Sequence, residues 1–263
     1  MKGECGLLFP EHILTTKQTY AELYPDKYSF SKFGLFHFTI LGIIAVIMAA
    51  NVRFYKNQNH RGKRKILQRI SLALLFTEIL RMSAALFTGQ WCWEYLPLDL
   101  CGINIFVCIW HAYTKNRVAA EILYSLCLPG ALVALLMPNW NRVPLYNFFS
   151  VHSWFCHILL VLYPVLMIAG GYIPRVKYLP KVLLVTLAEA VPIFFINKSL
   201  NTNFFFLNGT DGNPLLELGE KMFGSDLYFL IMLLLVPIVW GLLYAPWIIM
   251  KKKRKKALSE LKM

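Results

Sequence analysis

The sequence predicts an all-α, polytopic membrane protein built as a bundle of seven transmembrane helices. Seven separate apolar stretches follow one another along 263 residues, and hydrophobic residues make up 57% of the chain against 16% charged residues. A helix needs about 20 mostly apolar residues to cross a hydrocarbon core about 30 Å thick. Lipid offers no partner to a free backbone N–H or C=O, and no stretch alternates as a barrel strand does, so helices are the expected form.

By this length rule the third and fourth spans are separated only by a short turn at residues 114–117, because a single joined helix would be too long to cross once. We expect three regions: an extracytoplasmic segment (1–34), a transmembrane domain (35–249) and a basic cytoplasmic tail (250–263). Residues 1–34 lack the apolar core of a cleavable signal peptide. The seven expected spans are 35–54, 67–87, 95–113, 118–137, 147–169, 179–198 and 227–249.

Lysine and arginine collect on one side of the predicted bundle. They crowd the connection 51–66 and the tail from Lys251 to Lys256, and pairs of them follow the third and fifth spans. By the positive-inside rule the amino terminus is outside and the carboxyl terminus is cytoplasmic in the cell membrane. Basic clusters beside membrane helices contact anionic lipid headgroups, so the net charge of +13 predicts membrane lipids as partners and not nucleic acid.

The six cysteines show no metal-ligand spacing, and the chain has no nucleotide-binding loop, zinc-protease motif or nucleophile elbow. We therefore expect no metal and no cofactor. Cys5 and Cys92 both fall on the outer side and can pair there. The other four cysteines lie within spans, where a thiol commonly behaves as a small apolar group.

Ionisable side chains inside spans are the informative minority, because they are costly in lipid and usually face a protein interior or a wet cavity. Glu78 and Arg81 stand three residues apart on the second span, which predicts an intrahelical ion pair. Glu189 has no partner on its own helix, so it either needs one from another helix, for which Arg81 is a candidate, or must be protonated. The pair is open to two interpretations, a neutralised packing pair or part of a functional site.

The third and fifth spans carry a possible thiol and base. Cys101 needs a nearby base or cation to form a useful thiolate, and His157 can supply either. Starting from the outer helix ends, the two differ in depth by roughly 8 Å. His152 points about 140° away from His157, so only one of these rings is expected to face a given pocket. Four polar side chains of the third span share one face: Cys101, Asn104, Cys108 and His111.

Three sequence motifs occur in a fixed order. They are LPLDLC at 96–101, HILLVLYP at 157–164 followed by GGYIPR at 170–175, and NTNFFFL at 201–207. In this order, over about residues 70–245, the chain resembles the YwaF-type bacterial integral membrane proteins and their relatives in the transmembrane protein 164 family. The resemblance implies a seven-helix bundle with its amino terminus outside.

The same resemblance implies chemistry, since the animal members are cysteine-dependent acyltransferases that remodel ether phospholipids. Their cysteine opens the third span and their histidine lies in the fifth, where His157 matches. The cysteine does not match: the animal sequences read Pro-Cys-His where this chain reads Pro97-Leu98-Asp99. Cys101 is the nearest thiol, one helical turn further along.

Two functional hypotheses follow. In the first, a pocket between the third, fifth and sixth spans opens outward and binds a phospholipid, with Cys101 as acyl acceptor, His157 as base and Asp99 orienting the base or the headgroup. The NTNFFFL motif adds Asn203 as a substrate contact. In the second, the protein only binds or transports a small molecule or ion in a polar cavity lined by Glu78, Arg81, Asn104, His157 and Glu189.

Overall fold

In a computed structural model the chain is a helical membrane protein. The structure describes residues 12–24, 29–210 and 213–260, and these residues form helices and no strands. Seven of the helical segments are long and apolar enough to cross a membrane, which confirms the predicted number and order of spans. The helices are α1 (Lys17–Leu23), α2 (Leu35–Lys56), α3 (His60–Phe87), α4 (Leu100–Thr114), α5 (Arg117–Ile122), α6 (Leu128–Leu136), α7 (Phe148–Ala169), α8 (Leu179–Leu200), α9 (Pro214–Phe223) and α10 (Leu230–Glu260).

Helix α3 begins seven residues earlier than the expected span, at His60. Asn59 caps it by accepting a hydrogen bond from the backbone N–H of Gly62 at 2.7 Å. Arg64 then donates to the carbonyl of Tyr113 at the end of α4, at 3.1 Å. Much of the expected basic connection is therefore helical, because a cap and a contact between helices both favour the extra turns.

The third and fourth spans are separate, as the sequence predicts. Lys115 ends α4 in the left-handed conformation, with φ of 55°. Asn116 opens α5 by accepting hydrogen bonds from the backbone N–H groups of Val118 and Ala119. The fourth span continues through a π-helical segment, residues 123–127, into α6.

Two prolines inside spans leave a backbone carbonyl without its helical N–H donor. A side chain from a neighbouring helix donates a hydrogen bond to each of these carbonyls. Pro129 offers no N–H to the carbonyl of Ser125, and the indole Nε1 of Trp240 donates to that oxygen at 3.1 Å. Pro164 likewise leaves the carbonyl of Leu160 without a helical N–H donor, and this oxygen accepts a hydrogen bond from the Cys127 thiol at 3.5 Å. Each contact joins the fourth span to another span at the point where a proline interrupts the helical hydrogen bonds, in the fourth span at Pro129 and in the fifth at Pro164.

The fourth and fifth spans form the centre of the bundle. Within the structure, 61% of the fourth span and 50% of the fifth are buried, whereas the first, sixth and seventh are 11% buried each. The outer three therefore present most of their apolar surface to lipid, and the polar side chains that matter for function are expected among the inner spans.

The amino-terminal segment folds across one end of the bundle, which we call the amino-terminal face. Asn147, the cap of α7, donates to the carbonyls of His12 and Thr15 at 2.6 and 2.8 Å. The backbone N–H of Thr16 donates to the Gln90 side chain at 2.8 Å, and Asn141 donates to the carbonyl of Phe30 at 3.2 Å. These contacts cover the ends of α3 and α7, next to the start of α4.

Candidate functional site

The first turn of α4 is built around a close backbone approach. Asp99 caps the helix and accepts a hydrogen bond from the N–H of Gly102 at 2.6 Å. A Cβ at Gly102 would lie 2.8 Å from the backbone of Pro97, so only glycine lets the preceding loop pack onto the helix. This turn places Cys101, which is half-buried, in the first turn of α4.

The ring of His157 is held in one orientation. Its Nδ1 lies 2.7 Å from the carbonyl of Ser153, and because a carbonyl only accepts, Nδ1 carries the hydrogen. The lone pair is then on Nε2. The ring also stacks on Trp140, with centroids 4.9 Å apart and planes 21° from parallel. In the neutral ring of His157 the accepting nitrogen is therefore Nε2, on the side of the ring away from Ser153.

Asp99, Cys101 and His157 lie in the same region of the bundle. Asp99 interacts electrostatically with Cys101, with Cys156 and with His157. Glu78 acts on both cysteines as well. The described contacts include no hydrogen bond between the Cys101 sulfur and the His157 ring.

The expected ion pair on α3 is present and buried. Arg81 Nε lies 3.1 Å from each carboxylate oxygen of Glu78, and a terminal guanidinium nitrogen also contacts that carboxylate. The same guanidinium donates to the carbonyl of Tyr95 at 2.9 Å and lies 5.2 Å from the centre of the Tyr95 ring. The pair therefore connects α3 to the loop that leads into α4.

His152 completes this cluster from α7. It is 8% exposed, and its Nε2 lies 3.6 Å from a carboxylate oxygen of Glu78, outside hydrogen-bonding distance. The described residues supply no other hydrogen-bond partner for that nitrogen. The two histidines of α7 therefore face different neighbours, His152 the Glu78–Arg81 pair and His157 the Trp140 ring, as their angular separation predicts.

Asn104 lies one turn below Cys101 on the buried face of α4. Its Nδ2 donates to the carbonyl of Leu100 at 2.7 Å. Its Oδ1 is buried and finds no donor among the described residues. An unpaired buried acceptor is unfavourable in lipid, which makes this oxygen a candidate contact for a bound molecule.

Glu189 and Asn203 lie apart from this cluster. Glu189 is half-buried on α8, and the described structure gives it no hydrogen bond or ion pair, with Arg81 or with any other group. Asn203 shapes the loop after α8, donating to the carbonyl of Gly209 at 2.9 Å and accepting from the N–H of Asn208 at 2.8 Å. No described contact links either residue to Cys101 or His157.

A second buried cluster, which the sequence analysis did not predict, lies at the start of the fourth span. Glu121 is fully buried and pairs with Arg117 at 3.2 Å. It also accepts from the Tyr244 hydroxyl at 2.6 Å and from the backbone N–H of Arg175 at 2.8 Å. The signal was the spacing of four residues between Arg117 and Glu121 at the start of a span.

The arrangement contains a thiol, a base and carboxylates but no metal centre. Among the described residues, no three histidine, cysteine, aspartate or glutamate side chains are grouped so that they could hold a metal ion. Cys5 lies outside the described residues, so its expected pairing with Cys92 stays a prediction.

The family of this chain is shown by its similarity to known proteins. Searches of functionally characterised proteins and of solved structures returned no match. A family model described as the TMEM164 family matches residues 29–244, which include all of α2 to α9 and both clusters. The chain therefore belongs to the TMEM164 family.

Proposed function

We propose that this protein transfers acyl groups of membrane phospholipids, with Cys101 as the acyl acceptor and His157 as the base. One observation carries the proposal: the bond from His157 Nδ1 to the carbonyl of Ser153 leaves Nε2 as the nitrogen that can take a proton, in a bundle where Cys101 stands in the first turn of α4. A thiol becomes a useful nucleophile when such a base accepts its proton.

The reaction has two steps. Nε2 of His157 accepts the Cys101 thiol proton, the sulfur attacks the ester carbonyl of a phospholipid, and the proton passes to the departing alkoxide, which leaves as a lysophospholipid. A second lysophospholipid hydroxyl then gives its proton to Nε2 and attacks the thioester, which releases the thiol. No oxidant, reductant or cofactor enters this sequence.

The first turn of α4 assists the same chemistry. The leading N–H groups of a helix have no intrahelical acceptor and carry partial positive charge, which favours the oxyanion that forms when the carbonyl is attacked. Asp99 is exposed at this turn, at the amino-terminal face. It is positioned to orient His157 or a cationic headgroup.

The test is an acyl-transfer assay with the full chain in vesicles. The vesicles contain a phospholipid with a deuterated acyl chain and an unlabelled lysophospholipid, and mass spectrometry follows the label. We expect transfer by the natural protein and none by Cys101→Ser or His157→Gln, while Cys108→Ser, which changes a buried thiol outside the site, retains it. Equal transfer by all four proteins would refute the proposal.

A binding protein without catalysis is the second candidate, and the sequence itself favours it in one respect. The position that carries cysteine in the animal relatives is Leu98 here, in the loop before α4, whereas Cys101 lies in the first turn of that helix. A buried polar site at Glu78, Arg81, Asn104 and His157 would then hold a ligand without forming a thioester. In this case Asn104→Leu changes binding of a small solute or lipid, and no variant shows covalent label.

The setting we propose is the cell membrane, with the amino terminus outside and the carboxyl terminus cytoplasmic. Membrane lipids are the partners. Anionic headgroups are expected to contact the basic turns at residues 57–65 and the exposed Lys251, Lys252, Lys253 and Arg254 of α10. Since the described Asp99 and Cys101 lie near the amino-terminal face, this orientation directs the reaction to the outer leaflet.

A further inference from the structure

One side of α9 packs against the start of the seventh span. Leu216 is fully buried and clusters with Tyr228 and Ile231. Gly219 lies about one turn further along α9. A Cβ there would collide with the carbonyl oxygen of Tyr228 and lie 2.8 Å from a side-chain carbon of Ile231, so only glycine allows this approach. Ile231 is the second residue of the apolar span that begins at Leu230. Helix α9 therefore lies at the depth where the seventh span enters the membrane.

The rest of the surface of α9 is divided between an apolar and a charged side. Helical spacing places three exposed apolar side chains on a stripe about 100° around the axis from the packed side. They are Leu215, Leu218 and Met222, which are 38%, 48% and 59% exposed. The remaining side carries three charged side chains, all of them exposed. They are Glu217, Glu220 and Lys221. A broad apolar side opposite a charged one is typical of a helix that lies in a membrane interface.

The depth of α9 determines what covers the exposed apolar stripe. Membrane-spanning helices end at the boundary between hydrocarbon and headgroups, so the first turn of α10 and the helix packed on it both meet lipid there. The span itself faces lipid directly below this contact, where Leu233 and Leu234 are 50% and 56% exposed. The apolar stripe of α9 therefore continues the lipid-facing surface of the seventh span.

The leaflet follows from the order of the spans. The chain crosses the membrane six times between the amino-terminal segment and α9, which returns it to the amino-terminal face. Headgroup charge does not explain attachment there, because α9 carries two glutamates against one lysine. Apolar contact is the remaining source of binding to the leaflet.

We propose that α9 lies in the plane of the membrane at the amino-terminal face, with Leu215, Leu218 and Met222 inserted among the phospholipid chains of that leaflet just below the headgroups. The partner of this surface is a phospholipid leaflet, and the charged side of the helix remains at the headgroups and water. The inference goes beyond the proposed function and does not depend on it.

The test measures the depth of single side chains in the full chain. A fluorescent amino acid replaces one residue at a time by codon suppression, so the native cysteines stay in place, and each protein is reconstituted in phosphatidylcholine vesicles. Lipids with a nitroxide near the carbonyl end or near the methyl end of one chain quench the probe by contact, and iodide on both sides of the membrane quenches it from water. The probed positions are Leu218 and Met222, with Glu217 as the matched control on the charged side of α9 and Leu234 as the lipid reference.

At Leu218 and Met222 we expect the nitroxide near the carbonyl end to quench several-fold more strongly than the one near the methyl end, because an in-plane helix reaches about 5 to 10 Å into the boundary region. The same lipid should quench several-fold less at Glu217, which iodide should reach, and iodide should not reach Leu234. Iodide quenching at Leu218 and Met222 as strong as at Glu217 would overturn the inference. Shielding of both positions from lipid and iodide alike would overturn it as well, since protein would then cover the stripe.

Discussion

Asp99 combines a structural and an electrostatic role at one position. Its side chain caps α4 through Gly102, and in the proposed mechanism its carboxylate orients His157. The two roles can be separated, because asparagine caps a helix about as well as aspartate does but carries no charge. An alanine removes both.

We therefore expect Asp99→Ala to lower the free energy of unfolding by about 1 kcal/mol and Asp99→Asn to change it by a few tenths. Both substitutions should reduce acyl transfer, since both remove the carboxylate beside His157. Thermal unfolding in detergent micelles and the deuterated-lipid assay measure the two effects. Full transfer by Asp99→Asn would show that Asp99 is only a cap.

The second feature at the residue scale is the Glu78–Arg81 pair, in which each buried group depends on the other as its partner. Removing one partner leaves an unpaired charge in a region where neither group is more than 16% exposed. Removing both leaves an apolar surface that lipid and protein tolerate. Stability should therefore depend on the match between the two residues more than on either charge.

Arg81→Met is expected to cost about 3 to 5 kcal/mol, because it leaves the buried Glu78 carboxyl group without its partner. Adding Glu78→Leu to that variant, which makes both positions apolar, should recover most of the loss. A double-mutant cycle of thermal unfolding measures the coupling, with Arg142→Met on the amino-terminal face as an unrelated control. Losses that simply add would argue that the pair is not coupled.

At the scale of elements, the spans are connected by hydrogen bonds to backbone carbonyls that a proline leaves without a helical donor. The Ser125 carbonyl has no N–H from Pro129 and accepts instead from Trp240 on α10. The seventh span is otherwise mostly exposed to lipid, and four described hydrogen bonds join it to the fourth span: this bond, the Tyr244 bond to Glu121, and the two bonds of Tyr124 with the Leu243 carbonyl and the Trp247 indole.

Trp240→Phe should therefore lower stability by about 1 to 3 kcal/mol, the cost of an unpaired buried acceptor. The same change should cost less in a Pro129→Ala background, where the helix can supply its own N–H. Thermal unfolding of the four proteins measures this difference. An equal loss in both backgrounds would mean that the tryptophan acts through packing alone.

Much of the element scale could be predicted from the sequence, since seven apolar stretches and the turn before Asn116 determine the spans. The early start of α3 could not, because it depends on Arg64 meeting the end of α4. Within the site, Glu78, Arg81 and Cys101 stand out as polar groups in apolar helices. Contacts between distant parts of the chain, such as Trp140 stacking on His157, leave no local signal.

At the scale of the whole molecule, the orientation in the membrane determines which leaflet supplies the lipid of the proposed reaction. Cys92 lies just before the third span, near the end covered by the amino-terminal segment. It packs against the cluster of Ala85, Tyr95 and Phe149, and this burial raises the pKa of its thiol above the ordinary value. A thiol in this state reacts slowly at neutral pH, because only the thiolate is nucleophilic.

In a protein whose other cysteines are serine, we expect a membrane-impermeant maleimide to label Cys92 from outside intact cells. The rate should rise about tenfold per pH unit from about pH 7 to about pH 9, since this range lies below the raised pKa. Labelling only after the membrane is permeabilised would reverse the proposed orientation. A rate that levels off within the range would mean that the thiol is not shielded.

The claim that Cys101 accepts an acyl group is tested most directly by the mass of the protein itself. The full chain is incubated with a phospholipid that carries one deuterated acyl chain, quenched in acid to preserve thioesters, and examined by intact-protein and peptide mass spectrometry. We predict one added acyl group on the peptide that contains Cys101, removable by neutral hydroxylamine and lost in Cys101→Ser and in His157→Gln. A Cys101 peptide that stays unmodified after incubation with this lipid would contradict the account.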